Sequence, residues 1–342
     1  MDFEIRSLLC EALNRTALSD APRYERLPPF VRFRATGAGR VWEAWRQVVE
    51  KGPNKVSEML RTRSIVALVN QFDELAKRLL PYGTESLGPG EAGTIAAHSA
   101  IWQAFEVRRG VIYEPTPPLH RLLEDTYIAD DVPIGAVQFP AQTLCIVPEP
   151  SSWGNGEKSD ATVFFRGAQT LACVTWGMHG ERGQQRGVVE VVELPLDKPD
   201  RPIGTLLDKV CGSSETYREI RSYLRDSIDY AVKMLLYLKA RDAQVAIERP
   251  YSDAPRSFSR LGQRRRAERL AEIELLYDRH VVGPAILDAE AASHGAIGAS
   301  GHEVTGHWRR PHFRMQPYGV QSSLRKLVLI GPTIVRPDRL RA

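Results

Sequence analysis

The spacing of apolar residues changes along this chain, from a helical period in the first third to strand-like segments in the middle. Apolar side chains recur every three or four positions over residues 3–13 and 41–49, which is the period of one face of an α-helix. The same spacing predicts one long helix over residues 55–80 and another over residues 95–109. The proline-rich segment 115–118 then ends this helical region.

The middle and C-terminal parts of the chain have the composition of β-strands. Runs of β-branched and aromatic residues alternate with glycine and proline, as in strands joined by turns. The predicted strands span residues 134–147, 162–165, 170–177, 187–194, 244–247, 275–282, 303–310 and 324–335. One strongly patterned helix is predicted over residues 215–240.

These patterns predict an α+β fold. The chain of 342 residues is long enough for one large domain or two ordinary ones. Residues 1–115 are predicted to be a helical N-terminal region packed with a mixed, largely antiparallel β-sheet that carries one long helix. Residues 116–342 are predicted to be an α+β domain that ends in basic strands.

Positive charge is concentrated in two segments, although the formal net charge is only +4. The first segment, residues 256–269, includes Arg264, Arg265 and Arg266 and is predicted to be a loop and the first turn of a helix. The second begins at residue 302, and the rest of the chain is net acidic. Such asymmetry is typical of a surface that attracts phosphate or carboxylate groups.

The sequence contains no recognisable catalytic or metal-binding constellation. Neither G-x-x-x-x-G-K-[ST] nor G-x-G-x-x-G after a strand is present, and the four cysteines form no C-x-x-C pair. His302, His307 and His312 recur every five residues, so neighbours would face opposite sides of a strand and could not share a metal. We predict no catalytic residue, no metal and no cofactor, and the sequence favours a binding protein over an enzyme.

The sequence also lacks segments that would direct it to a membrane. Its first residues do not form a basic region followed by an apolar core, as in a signal peptide. No apolar run approaches the roughly 20 residues of a membrane helix. We therefore predict a cytoplasmic protein of a host cell.

Cations and aromatic residues are interleaved over residues 306–314, and this is the strongest functional signal. Guanidinium groups pair with phosphate or carboxylate, and aromatic rings supply stacking surfaces. Alternatively, Trp308 and Phe313 are core anchors and the arginines form a solvated strand face. Both interpretations hold together if the aromatic rings lie on one side of a strand and the arginines on the other. The predicted binding residues are His307, Trp308, Arg309, Arg310, His312, Arg314, Arg325, Lys326, Arg264, Arg265 and Arg266.

The C-terminal motifs resemble those of a known family. Gly306-His307-Trp308, then residues 316–319 (QPYG) and residues 324–326 (LRK), resemble the ending of small phage and plasmid proteins. This family includes the type V-A anti-CRISPR protein that suppresses synthesis of its effector nuclease. The resemblance covers the last two thirds of the chain. The sequence Arg309-Arg310-Pro311 departs from the more aromatic one in that anti-CRISPR protein, so a shared fold is better supported than a shared target.

The resemblance implies an accessory protein of a mobile element that acts against CRISPR immunity. Its partner would be the effector polypeptide, recognised at its nascent N-terminal segment, and effector production would fall with loss of the messenger RNA. RNA or the ribosome is an additional predicted partner, and no membrane partner is expected. Two alternatives stay open: a nucleic-acid-binding protein without a CRISPR target, and a nuclease that would use His302, His307 or His312.

Overall fold

The chain folds into two compact units, each assembled from three segments. The computed structural model describes residues 3–18, 24, 27–49, 55–148, 159–179, 186–212, 218–239, 243–259, 261–284, 307–331 and 333–335. The first unit comprises Met1–Tyr113, Ala141–Glu193 and Ile247–His280, and the second comprises Glu114–Pro140, Leu194–Ala246 and Val281–Ala342. The division of the sequence into residues 1–115 and 116–342 stays a prediction.

The described chain begins with a run of helices, and strands with a few further helices follow. The helices are α1 (Phe3–Ala17), α2 (Pro29–Thr36), α3 (Ala38–Val49), α4 (Lys55–Thr62), α5 (Ile65–Leu79), α6 (Pro89–Val107), α7 (Pro117–Asp125), α8 (Ile203–Cys211), α9 (Arg218–Lys239) and α10 (Gln263–Ile273). The strands are β1 (Val111–Pro115), β2 (Tyr127–Ile128), β3 (Thr143–Ile146), β4 (Ser159–Arg166), β5 (Thr170–His179), β6 (Arg186–Pro195), β7 (Val245–Glu248), β8 (Arg279–Val282), β9 (His307–Arg309), β10 (His312–Tyr318), β11 (Leu324–Ile330) and β12 (Thr333–Val335). Within the described ranges, no helix combines the length and the hydropathy of a bilayer-spanning segment.

Most residues of a seven-stranded mixed sheet belong to the first unit. Its strand order is β6-β5-β4-β3-β1-β8-β7. Strand β1 is parallel to β3, whereas β4 runs antiparallel to both β3 and β5. All four residues of β3 are buried, as expected of a central strand covered on both faces. The predicted α+β fold is confirmed.

The core of the first unit joins its helices to this sheet. The rings of Phe30 on α2 and Phe105 on α6 stack at a centroid distance of 4.0 Å. Phe30 also meets Trp176 of β5 edge to face at 5.2 Å. Rings this large contribute much of the apolar area removed from water. The α2 and α6 helices are therefore anchored to β5 by aromatic contacts.

The long helix predicted over residues 55–80 is wrong in one respect, because the structure divides it into α4 and α5. The hydroxyl oxygen of Ser64 accepts a hydrogen bond from the Ala67 amide at 3.2 Å and thereby caps the start of α5. The guanidinium of Arg108 donates to the carbonyl oxygens of Leu60 and Arg63, each at 2.7 Å. At the break, Ser64 and Arg108 therefore pair with backbone N–H and C=O groups that would be hydrogen-bonded within a continuous helix.

Several other predicted boundaries change. The predicted helices near α1, α3 and α9, and the strands near β4, β5 and β6, are confirmed. The sequence patterns missed α2, α7, α8 and β10, and the strand predicted over residues 324–335 is two strands, β11 and β12. The arginine-rich segment predicted as loop and first helical turn enters the helix α10 at Gln263, so Arg264, Arg265 and Arg266 lie in this helix and Arg256 precedes it. Of the strand predicted over residues 275–282, only the last four residues form a strand, β8.

The second unit packs α7 and α8 against the long helix α9. His120 Nδ1 on α7 lies 2.7 Å from the hydroxyl of Tyr230 on α9. Gly283 follows β8 with φ of +103°, and a β-carbon there would lie 2.7 Å from Cβ of Leu119. Only glycine fits this left-handed position so close to α7. The second unit also contains a three-stranded sheet, β11-β10-β2, and a two-stranded sheet, β12-β9.

Candidate binding surface

Residues 312–330 of the basic C-terminal segment form an antiparallel hairpin, β10–β11, at one side of the three-stranded sheet. His312 lies opposite Ile330, and Tyr318 lies opposite Leu324. Strand β2 runs parallel to β10 on its other side. Residues directly opposite one another in such a pair share a face, and successive residues alternate between faces. The register therefore assigns each side chain of the hairpin to one of two faces.

One face of the hairpin is largely apolar, although Arg325 also lies on it, opposite Pro317. Phe313 is fully buried on this face, and the half-buried Met315 pairs with Leu327. The carbonyl oxygen of Phe313 accepts a hydrogen bond from the Ala129 amide at 3.0 Å, just beyond β2. The prediction that Phe313 is a core anchor is confirmed, and this anchor holds β10 in place.

The opposite face, here called the cationic face, carries Arg314, Gln316 and Tyr318 of β10 and Lys326 of β11. Gln316 lies directly opposite Lys326 in the register. The ammonium nitrogen of Lys326 is 5.8 Å from the centre of the exposed Tyr318 ring. An ammonium group is attracted to the face of an aromatic ring at such a distance. Cation and ring are thus adjacent on the surface of the hairpin.

The cations in and next to the hairpin have no carboxylate partner within the part of the chain that the structure describes. This holds for five side chains, namely Arg309, Arg310, Arg314, Arg325 and Lys326. All except the half-buried Arg314 are exposed. Exposed cations that no described carboxylate neutralises can attract anionic groups.

His312 lies in the interior beside these cations. Its ring is buried and stacks on Tyr127 of β2 at a centroid distance of 5.1 Å. Its Nδ1 lies 3.3 Å from the carbonyl oxygen of Arg310. Burial lowers the pKa of His312, and Arg309 and Arg314 lower this pKa further. Its hydrogen bond to Arg310 and the charge of Asp131 oppose this decrease without reversing it.

The lowered pKa of His312 predicts a loss of stability on acidification. Unfolding frees the ring to bind a proton below pH ~6.5, so the unfolded state gains protons first and the free energy of unfolding falls as pH decreases. One proton contributes a slope of at most about 1.4 kcal/mol per pH unit. His312→Phe keeps an aromatic ring on Tyr127 and removes the proton. We expect urea unfolding of this variant to depend less on pH between about pH 7 and pH 5.

A second histidine with a lowered pKa, the half-buried His280, must be controlled in this measurement. Burial, with a smaller effect of Arg249, also lowers the pKa of His280 on β8. Urea unfolding of His280→Phe, alone and combined with His312→Phe, separates the contributions of the two histidines to the pH dependence of the free energy of unfolding. If the free energy of unfolding of His312→Phe depends on pH as steeply as that of the original chain, His312 is not the source of this pH dependence.

The first basic segment lies in the first unit, partly on the exposed helix α10, and some of its cations have partners. Arg264 Nε lies 3.0 Å from Oε1 of Glu268. The guanidinium carbon of Arg256 lies 4.5 Å from the centre of the Tyr251 ring. Arg265 and Arg266 form no ion pair with any residue that the structure describes. They therefore remain candidate binding residues, in a different unit from the β10–β11 hairpin.

The other predicted site residues lie at or beyond the limits of the described chain. His307 and Trp308 belong to β9, in which the backbone of Trp308 pairs with Ile334 of β12. Their side chains, and the whole of His302, lie outside the described residues. Among the residues described, no cluster of three His, Cys, Asp or Glu side chains is arranged to hold a metal ion.

The structure adds apolar and aromatic residues that the sequence interpretation did not include in the site. Tyr127, Tyr318, Val320 and Leu324 are exposed around the β10–β11 hairpin. Tyr318 and Leu324 were within the motifs that carried the family resemblance, so the sequence contained a signal for them. Tyr127 had none, because it reaches His312 only through the pairing of β2 with β10.

Comparisons with known proteins agree with the resemblance of the C-terminal motifs. The family model AcrVA2-like, described as the anti-CRISPR type V subtype A2 family, matches residues 113–337. The chain belongs to this family, and membership supports an anti-CRISPR role and suggests a CRISPR-related partner. The predicted family is thereby confirmed.

One solved structure is similar to this chain over most of its length. It is the crystal structure of AcrVA2, which covers 89% of this chain and 94% of its own, with 11% sequence identity and a TM-score of 0.34. No curated protein sequence matches this chain.

Proposed function

We propose that this protein opposes CRISPR immunity by binding a host effector polypeptide, in its nascent form, and lowering its production. Membership of the anti-CRISPR type V subtype A2 family supports the role. The observation that carries the binding proposal is the set of cations in and next to the β10–β11 hairpin that have no carboxylate partner among the described residues. Together they offer a surface for acidic segments of a polypeptide.

The arrangement of these cations suits an extended acidic partner. Arg325 and Lys326 are consecutive residues of β11, so their side chains lie on opposite faces of the strand. Arg314 is on the same face as Lys326. A guanidinium can hold a carboxylate through two parallel hydrogen bonds, whereas an ammonium acts as a point charge. Attraction of this kind mainly increases the rate of encounter and the specificity of binding.

Charge reversal on β11 is expected to weaken effector binding. In the double variant Arg325→Glu and Lys326→Glu, two exposed attractive charges become repulsive. We expect its affinity for overlapping peptides from the N-terminal segment of a type V-A effector to fall by about tenfold or more. Fluorescence anisotropy with labelled peptides, at about 0.15 M salt, measures this change.

A matched control is available in the first unit. The double variant Arg61→Glu and Arg78→Glu changes net charge equally at two exposed positions on α4 and α5. It should bind the peptides as the original chain does. The binding proposal fails if no peptide binds at high micromolar concentration, or if the control variant loses as much affinity as the β11 variant.

Lowered production needs a separate measurement in cells. An effector gene is expressed with the original chain, the β11 double variant or the control variant, and effector protein and messenger RNA are quantified. We expect the original and control chains to lower both, and the β11 variant to lower them less. If the original chain binds the peptides but leaves the effector protein and messenger RNA at their normal levels, the proposed decrease in production is wrong and only the binding proposal stands.

RNA binding is a second candidate function. The feature that favours it is the position of Lys326 beside the exposed ring of Tyr318, because single-stranded nucleic acids are held by cations and stacked aromatic rings. Capture of partners from host lysate, with and without ribonuclease, separates the candidates. A partner lost on ribonuclease treatment, with an affinity for RNA that falls steeply with salt, would favour RNA.

A further inference from the structure

Strand β11 lies at the edge of the three-stranded sheet, whose order is β11-β10-β2. Its inner edge pairs with β10 over its full length of seven residues. Its outer edge has no strand partner among the residues that the structure describes. Roughly every second residue of an edge strand directs its N–H and C=O groups outward. Such an edge is a template for an additional strand.

The side chains of β11 divide the strand into two chemically different halves. Leu324, Arg325 and Lys326 are exposed, whereas residues 327–330 (LVLI) are half-buried. A fully apolar edge would favour aggregation, and flanking lysine or arginine is one protection against it. Here the two cations also have no carboxylate partner within the described residues.

We propose that the outer edge of β11 is where an extended acidic segment of the effector polypeptide adds as a further strand. This inference rests on the proposed function, which it extends with a mode of binding. Backbone hydrogen bonds along the edge would provide affinity, and alternate side chains would provide specificity. Acidic residues of the partner lie beside Arg325 and Lys326, and its apolar residues lie beside Leu327 and Leu329.

The chemistry of the edge selects a polypeptide over other occupants. A nucleic acid can pair with the cations but has no alternating N–H and C=O groups to continue a β-ladder. A second copy of this chain could supply a strand, but β11 itself contains no carboxylate to meet Arg325 and Lys326. An acidic extended polypeptide satisfies both the backbone groups and the charges.

Backbone methylation of the peptide tests this binding mode without changing any charge. The probe is the tightest-binding peptide from the overlapping effector set, synthesised with N-methyl groups at alternate residues in either of two registers. Strand addition uses the N–H groups of one register only. We expect methylation in that register to weaken binding to the full chain by about tenfold or more, and methylation in the other register to have a much smaller effect.

Hydrogen exchange provides a second readout on the protein. We expect the amides of residues 324–330 to exchange more slowly when the unmethylated peptide is bound, since their outward N–H groups gain acceptors. The exchange of α10 serves as the internal reference, because this helix is in the other unit.

The outcomes separate this inference from the proposed function. Register-dependent loss of affinity with slowed exchange in β11 supports strand addition. Binding that is indifferent to methylation, or that leaves exchange of β11 unchanged, overturns strand addition while peptide recognition stands. A set of peptides that never binds overturns both, and dimers formed through β11 would replace the effector segment with a second copy of the chain.

Discussion

Replacing Arg32 by methionine is expected to destabilise the first unit by about 3–5 kcal/mol, because it removes a charged partner of a buried carboxylate. Arg32 Nη2 of α2 donates to Oδ2 of Asp160 on β4 at 2.7 Å. Their side chains are only 4% and 6% exposed. Urea unfolding followed by tryptophan fluorescence measures the loss, since Trp45, Trp102 and Trp176 are all in this unit.

Arg264→Met is the matched control for this prediction. Its ion pair with Glu268 is similar in length, but the Arg264 side chain is 93% exposed. Exposed pairs one helical turn apart contribute only ~0.3–0.5 kcal/mol. The double variant Arg32→Met and Asp160→Leu should recover much of the lost stability, because it removes both buried charges. Equal losses in Arg32→Met and Arg264→Met would contradict a special role for the buried pair.

Replacing Phe313 by alanine is expected to destabilise the second unit by about 3–5 kcal/mol. Phe313 is completely buried, and alanine would leave a cavity beneath β10. Because β10 supports β11 through their pairing, the affinity for effector peptides should also decrease. Urea unfolding and peptide anisotropy on the same preparations measure the two effects.

The control for Phe313→Ala is in the same strand. Tyr318→Ala removes an equally large ring from an exposed position, so its effect on the free energy of unfolding should be small. Similar destabilisation by the two variants would show that Phe313 does not anchor the hairpin.

Helical periodicity predicted the long elements of this fold because a long amphipathic helix repeats its signal several times. The short helices α2 and α7 begin at Pro29 and Pro117 and were missed, although proline is common at the first position of a helix. The segment 115–118 was interpreted as an end of structure, whereas it ends β1 and starts α7. Similarly, Arg264 and Glu268 are one helical turn apart, a spacing that favours the helix found there.

The sequence predicted which types of residue form the candidate site, but it predicted less well which of them lie next to one another. Interleaved cations and aromatic residues indicated a strand with two chemically different faces. Phe313 and Arg314 lie on opposite faces of β10, whereas Arg325 shares the face of Phe313. The burial of His312 could not be predicted locally, because its stacking partner Tyr127 is distant in sequence. The outer edge of β11 likewise depends on strand order, which is set by contacts between remote segments.

Because the segments of the two units alternate along the chain, the first unit cannot be completed until most of the chain has been synthesised. Helices α1–α6 leave the ribosome before Trp176, the ring against which Phe30 packs, and the first unit has its last residues only at His280. Contacts between distant segments slow folding, and apolar surface stays exposed until they form. A protein proposed to recognise another chain during translation therefore completes its own first unit only late in its own synthesis.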